Sequence, residues 1–78
     1  MDLFDQLQEI VASALKVSPD EIQRTTSSDD LEAWDSLGHV HIMIAIESAF
    51  NIYMDVEDFA EMDGIPAMLE FLSTQELA

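Results

Sequence analysis

Apolar residues recur three and four apart at the start of the chain. Leu3, Phe4, Leu7, Ile10, Val11, Ala14 and Leu15 fall on one side, with Asp5, Gln6, Gln8, Glu9 and Ser13 between them. That spacing predicts an amphipathic helix over about residues 2–16. Asp2 is placed to cap it, and Lys16 complements the negative end of its dipole. Ser18, Pro19, Asp20 and Glu21 stop this helix and suit a single turn, with Ser18 as its cap and Pro19 at its first position. Residues 23–35 are the longest polar stretch, so 17–35 reads as a loop with Leu31 and Trp34 as apolar anchors. Loops of that length in small domains are often functional. Residues 36–50 carry β-branched side chains, but their length and lack of Pro favour a helix. An extended link at 51–54 follows. A short helix over about 55–61 is expected, capped by Asp55. A last one over about 64–74 is expected behind a cap at Asp63, with Pro66 in its first turn.

The pattern predicts an all-α fold: a small bundle of three main helices plus one short helix. Its expected core is Leu7, Ile10, Val11, Leu15, Ile42, Ile46, Phe50, Phe59, Ile65, Leu69 and Leu72. The helix at 36–50 does not sort cleanly. At about 100° per residue, one arc holds Gly38, Ile42, Met43, Ala45, Ile46, Ala49 and Phe50. The opposite arc carries His41, Glu47 and Ser48, yet also Leu37, Val40 and Ile44. A helix apolar on both sides is either buried all round or meets a partner, and a small domain cannot readily bury one on every side.

Composition narrows the function classes. The chain has 78 residues, with 17 Asp and Glu against 2 Lys and Arg, for a formal net charge of −15. Such a surface repels phosphate backbones and anionic headgroups, so neither nucleic acid nor membrane is an expected partner. Hydrophobic residues make up 49% of the sequence, enough for a core despite the charge. Without Cys there is no thiolate nucleophile, disulfide or Cys-ligated zinc. Residues 1–5 carry no basic side chain, so a signal peptide is not expected.

Chemistry concentrates at Trp34-Asp35-Ser36-Leu37-Gly38. An amphipathic first helix, a Pro-Asp-Glu-Ile turn and a long loop lead to Asp35-Ser36-Leu37. Ala45-Ile46-Glu47, Phe50, a short acidic helix and a final helix follow. In this layout the chain resembles the acyl carrier protein family over essentially its full length. The resemblance implies a cytoplasmic, monomeric, non-enzymatic carrier with 4′-phosphopantetheine attached covalently to Ser36. Its implied partners are a phosphopantetheinyl transferase and acyl-loading and acyl-accepting enzymes with basic docking surfaces. Ser36 is expected to cap the second helix, where an attached phosphodiester would sit at the positive end of the dipole. Asp35, Leu37, Val40, His41, Ile44 and Glu47 are the expected partner-binding residues.

The second helix departs from carriers of fatty acid synthesis, which have several acids along it. Here Glu47 is the one acid inside 36–50, His41 stands where an acid is usual, and Gly38 and His39 replace an acidic or polar pair. That implies a specialised carrier. An aminoacyl or hydroxyacyl carrier of a secondary metabolite or polysaccharide pathway stays open, as does an unmodified acidic adaptor. His39 and His41, two helical positions apart, diverge by roughly 200° and do not form a metal pair. Ser36 and His39 have the spacing of a dyad, but no third residue evidently orients the imidazole, so no catalytic residue is expected. Residues 55–64 put Phe59 and Ala60 where a calcium loop needs a ligand and a Gly, so no metal site is expected.

Overall fold

The computed structural model describes residues 2–74. Within them the chain forms α1 (Leu3–Leu15), α2 (Ser36–Phe50), α3 (Val56–Glu61) and α4 (Ile65–Ser73). The fold is all-α, and no described helix is long and apolar enough to cross a membrane. The only β-type pairing among the described residues is one antiparallel bridge between Ser27 and Gly64.

Both long helices end in the same way. Lys16 (φ 59°) and Asn51 (φ 55°) take the left-handed conformation after α1 and α2. Beyond each, one amide bonds back across the last turn: Val17 N–H to Ala12 O at 3.0 Å, and Ile52 N–H to Glu47 O at 3.2 Å. These six-to-one bonds satisfy carbonyls the helix leaves open. At the start of α1, Asp2 occupies the cap position but makes no capping bond. Its carboxylate instead accepts from Arg24 at 2.8 Å, and the guanidinium lies over the Phe4 ring, 4.6 Å from its centroid.

The segment expected as loop is more ordered than its polarity suggested. It holds two single 3₁₀ turns, Pro19–Glu21 and Ser28–Asp30, each closed by a serine–acid capping box. The first turn begins with Ser18 as cap and Pro19 as first residue. Gln8 ties it down from α1, its amide donating to Pro19 O and Ile22 O at 2.9 Å each. The second is held from the far side by Ser28 N–H to Asp63 O (2.9 Å) and Ile65 N–H to Thr26 O (2.8 Å). Gly64 sits at that crossing, where a Cβ would come within 3.3 Å of Ser27 and of Thr26 O. Gly64, not Asp63, is therefore the residue at the α4 cap position.

Leu7, Val11 and Leu15 of α1, Ile42, Met43 and Ile46 of α2, and Ile65, Met68 and Leu72 of α4 form the core. Ile22, Trp34, Met54 and Met62 join from the connecting segments. Ile10, Phe50, Phe59 and Leu69, expected inside, are half-buried and pack on its edge, and Ala49 is exposed. Flexible methionines take the irregular gaps between short helices that branched or ring side chains fill poorly.

Candidate functional site

The start of α2 is built by a short run of cooperating residues. Asp35 is the N-cap: its backbone is extended and its Oδ1 accepts from Gly38 N–H at 2.8 Å. Its carbonyl accepts the first intrahelical bond, from His39 N–H, at 2.8 Å. Ser36, expected as the cap, is instead the first residue of the helix. The exchange of roles has a simple physical reason. A carboxylate bonding an amide at the positive end of the dipole is a stronger cap than a hydroxyl, and the chain turns one residue earlier to use it. The Ser36 hydroxyl is thereby spared. The residue is exposed, and its amide and that of Leu37 have no intrahelical acceptor.

Gly38 is buried directly beneath this turn. A Cβ there would collide with the Ala33 carbonyl and approach Leu15 Cδ2 to 2.8 Å. The backbone of α2 thus rests on the loop and on the end of α1, and no acidic side chain fits at this position.

Ser36 borders a groove of about 480 Å³ lined by Ser28, Asp29, Trp34, Asp35, His39, Phe59, Ala60 and Asp63. One wall is Trp34, which is 4% exposed, stacked at 21° on the His39 ring with centroids 6.3 Å apart. The indole Nε1–H donates to His39 Nδ1 at 3.1 Å, and His39 Nε2 lies 2.7 Å from the Phe59 carbonyl. The sequence placed Trp34 as a loop anchor and showed no residue that orients His39. It gave no sign that they bond, because a pair five apart across a cap has no periodic signature.

The other sequence-predicted residues separate into two groups. Leu37 (65% exposed), Val40 (42%) and Ile44 (57%) form an open aliphatic row on α2. Tyr53 and Val56, in the link and at the start of α3, add two more exposed apolar side chains that the periodicity did not single out. His41 is exposed and lines, with Ile44, a second apolar groove of about 660 Å³ between α1 and α2, bounded also by Glu9, Ile10 and Ala14. That larger groove does not include Ser36. Glu47 stands apart: it is half-buried, and its Oε2 accepts from Met54 N–H at 2.8 Å. That carboxylate oxygen ties the α2–α3 link to the end of α2. No group of His, Asp and Glu suited to a metal ion occurs among the described residues.

The donor set suits a phosphodiester on a serine. Such an anion needs an exposed hydroxyl, unpaired amides at a helix start and an adjoining groove, and Ser36 has all three. Comparison with known proteins agrees. The family described as "Phosphopantetheine attachment site" matches residues 5–72. The acyl carrier protein of Wolinella succinogenes is 30% identical over 77 residues, covering 97% of this chain and all of the relative. That of Clostridium perfringens strain 13 is 35% identical over 72 residues, covering 91% and 93%. The solution structure of a holo acyl carrier protein from Geobacter metallireducens superposes with a TM-score of 0.80 at 22% identity, covering 94% of this chain and 84% of the other, and so shares the fold. With a family match spanning the helices and the groove, and 4′-phosphopantetheine as the family's prosthetic group, this chain belongs to the acyl carrier protein family.

Proposed function

We propose that 4′-phosphopantetheine is attached through the Ser36 hydroxyl, and that the chain carries acyl groups for a specialised pathway rather than for general fatty acid synthesis. The observation that carries the attachment reading is the division of labour at the α2 start. Asp35 caps, Ser36 is exposed at the first helical position, and two free amides point out of the helix beside it. When bound, the group supplies a terminal thiol that holds an acyl unit as a thioester. The chain contributes the attachment oxygen, the positive helix end that favours an anion there, and the groove beside it. It supplies no catalytic group: the Ser36 hydroxyl is activated on the transferase.

Specialisation is supported by the surface of α2. Its outward row is aliphatic and its one acid, Glu47, is turned to the backbone of the link. An enzyme docking here reads Leu37, Val40, Ile44 and His41 at close range. It reads Asp35 and the acids of α3 at the two flanks, through Arg or Lys around an apolar groove. A carrier read by many enzymes through acids along this helix would present a different face.

The attachment is tested by incubating the protein with coenzyme A and a broad-specificity transferase, then measuring intact mass. The parent gains one phosphopantetheine and Ser36→Ala gains none. Because Ser36 is not the cap, the Ala variant keeps its stability to within about 0.5 kcal/mol. A labelled Ser36→Ala protein would move the site elsewhere, with Ser28 and Ser48 examined next. An unlabelled parent would leave the acidic adaptor.

A further inference from the structure

We propose that His39 is a positioning residue: it pins α3 against the start of α2 and so fixes the wall of the groove beside Ser36. The bond network assigns the ring's state. An indole N–H can only donate, so His39 Nδ1, 3.1 Å from Trp34 Nε1, must be the acceptor and carries no proton. The proton therefore sits on Nε2, which donates to the Phe59 carbonyl at 2.7 Å. Neutral imidazole in this one tautomer satisfies both partners.

The bond to Phe59 matters because little else grips α3. The helix spans six residues and buries none of them. A helix that short has no stability of its own. Its N-terminal capping box, Asp55 with Asp58, closes it upon itself and ties it to nothing else. Met54 before it and Met62 after it are buried, so its ends are anchored, while among its own apolar side chains only half-buried Phe59 packs against the core. The carbonyl of that same Phe59 is the one His39 holds. Trp34, buried and stacked on the ring, keeps His39 aimed. Loop, α2 and α3 are thus joined through a single imidazole on the groove that Ser36 borders.

The test has two parts, and only the second rests on attachment at Ser36. In the unmodified protein, amide and indole hydrogen exchange is followed in the parent, His39→Phe and His39→Gln. Phe keeps the stack and loses both bonds, while Gln keeps a donor for the Phe59 carbonyl. We expect His39→Phe to speed exchange at Phe59, Met62 and the Trp34 indole by about five- to tenfold, the size of one net hydrogen bond. Amides of α1 and α4 keep their parent rates, and Gln recovers most of the α3 protection. Unchanged α3 exchange, equal acceleration in α1 and α4, or Gln behaving as Phe would each overturn the proposal. In the second part the transferase-loaded parent is expected to show nuclear Overhauser contacts between the arm and Phe59 or Ala60 that weaken severalfold in His39→Phe. A loaded parent without those contacts overturns the role of α3 as a wall. A parent that gains no mass refutes attachment instead, and the exchange data alone then decide whether His39 pins α3.

Discussion

At Gly38 the constraint is one missing carbon. Alanine is the better helix former by about 1 kcal/mol, so on propensity alone Gly38→Ala should stabilise α2. The Ala33 carbonyl and Leu15 Cδ2 stand where the methyl would go, and a backbone carbonyl cannot step aside as a flexible side chain can. We expect the collision to win, with Gly38→Ala costing about 1–3 kcal/mol in a denaturant melt. A neutral or stabilised variant would show that the loop gives way. Three and two positions earlier, the Asp35 and Ser36 roles predict a contrast. Asp35→Ala removes the carboxylate from the Gly38 amide and should cost about 0.5–2 kcal/mol, whereas Ser36→Ala spares the cap. Equal losses from the two would mean that the hydroxyl shares the capping. Only part of this site was legible in the sequence. Asp35-Ser36-Leu37 marked the place. Which of two adjacent polar residues caps is settled by a one-residue phase of the backbone, and no spacing rule fixes that phase.

Among elements, α1 and α4 were legible because each has one apolar face and one core to meet. The face of α2 was ambiguous because the exposed Leu37, Val40 and Ile44 are as apolar as the buried Ile42, Met43 and Ile46. The polar segment between α1 and α2 was the least legible, because side chain–backbone bonds order it and apolar periodicity does not. Gln8 reaches across from α1 to bond the carbonyls of Pro19 and Ile22 at 2.9 Å. Removing that amide leaves the Ile22 carbonyl, on a fully buried residue, without its donor. We expect Gln8→Ala to lower stability by about 1–3 kcal/mol, two net hydrogen bonds. Hydrogen exchange should show the loss first around residues 19–23. Protection there that survives the substitution would mean that the packing of Ile22 alone holds the turn.

For the whole molecule, the governing quantity is charge set against size. The described residues have principal extents of 31 × 28 × 19 Å, and the chain carries a net charge of −15. At about 0.01 M salt the Debye length is about 30 Å, so each carboxylate feels nearly every other across the fold. At about 0.15 M it is about 8 Å, and only neighbours interact. Unfolding spreads the charges apart, so self-repulsion penalises the folded state chiefly at low salt. The opposing attraction is small. Arg24 is one of the two basic residues, and its pair with Asp2 is exposed on both sides, a geometry worth about 0–1 kcal/mol at most. Screening should therefore remove more repulsion than attraction, and stability should rise with sodium chloride over that range. A gain of 1 kcal/mol corresponds to about 4–8 °C in a domain of this size, and we expect a rise of at least about 4 °C. The expected outcome is the same with potassium as with sodium, because the effect is one of ionic strength. A melting temperature that stays level, or falls as salt is added, would show that the carboxylates are already screened by water and that ion pairs outweigh their repulsion.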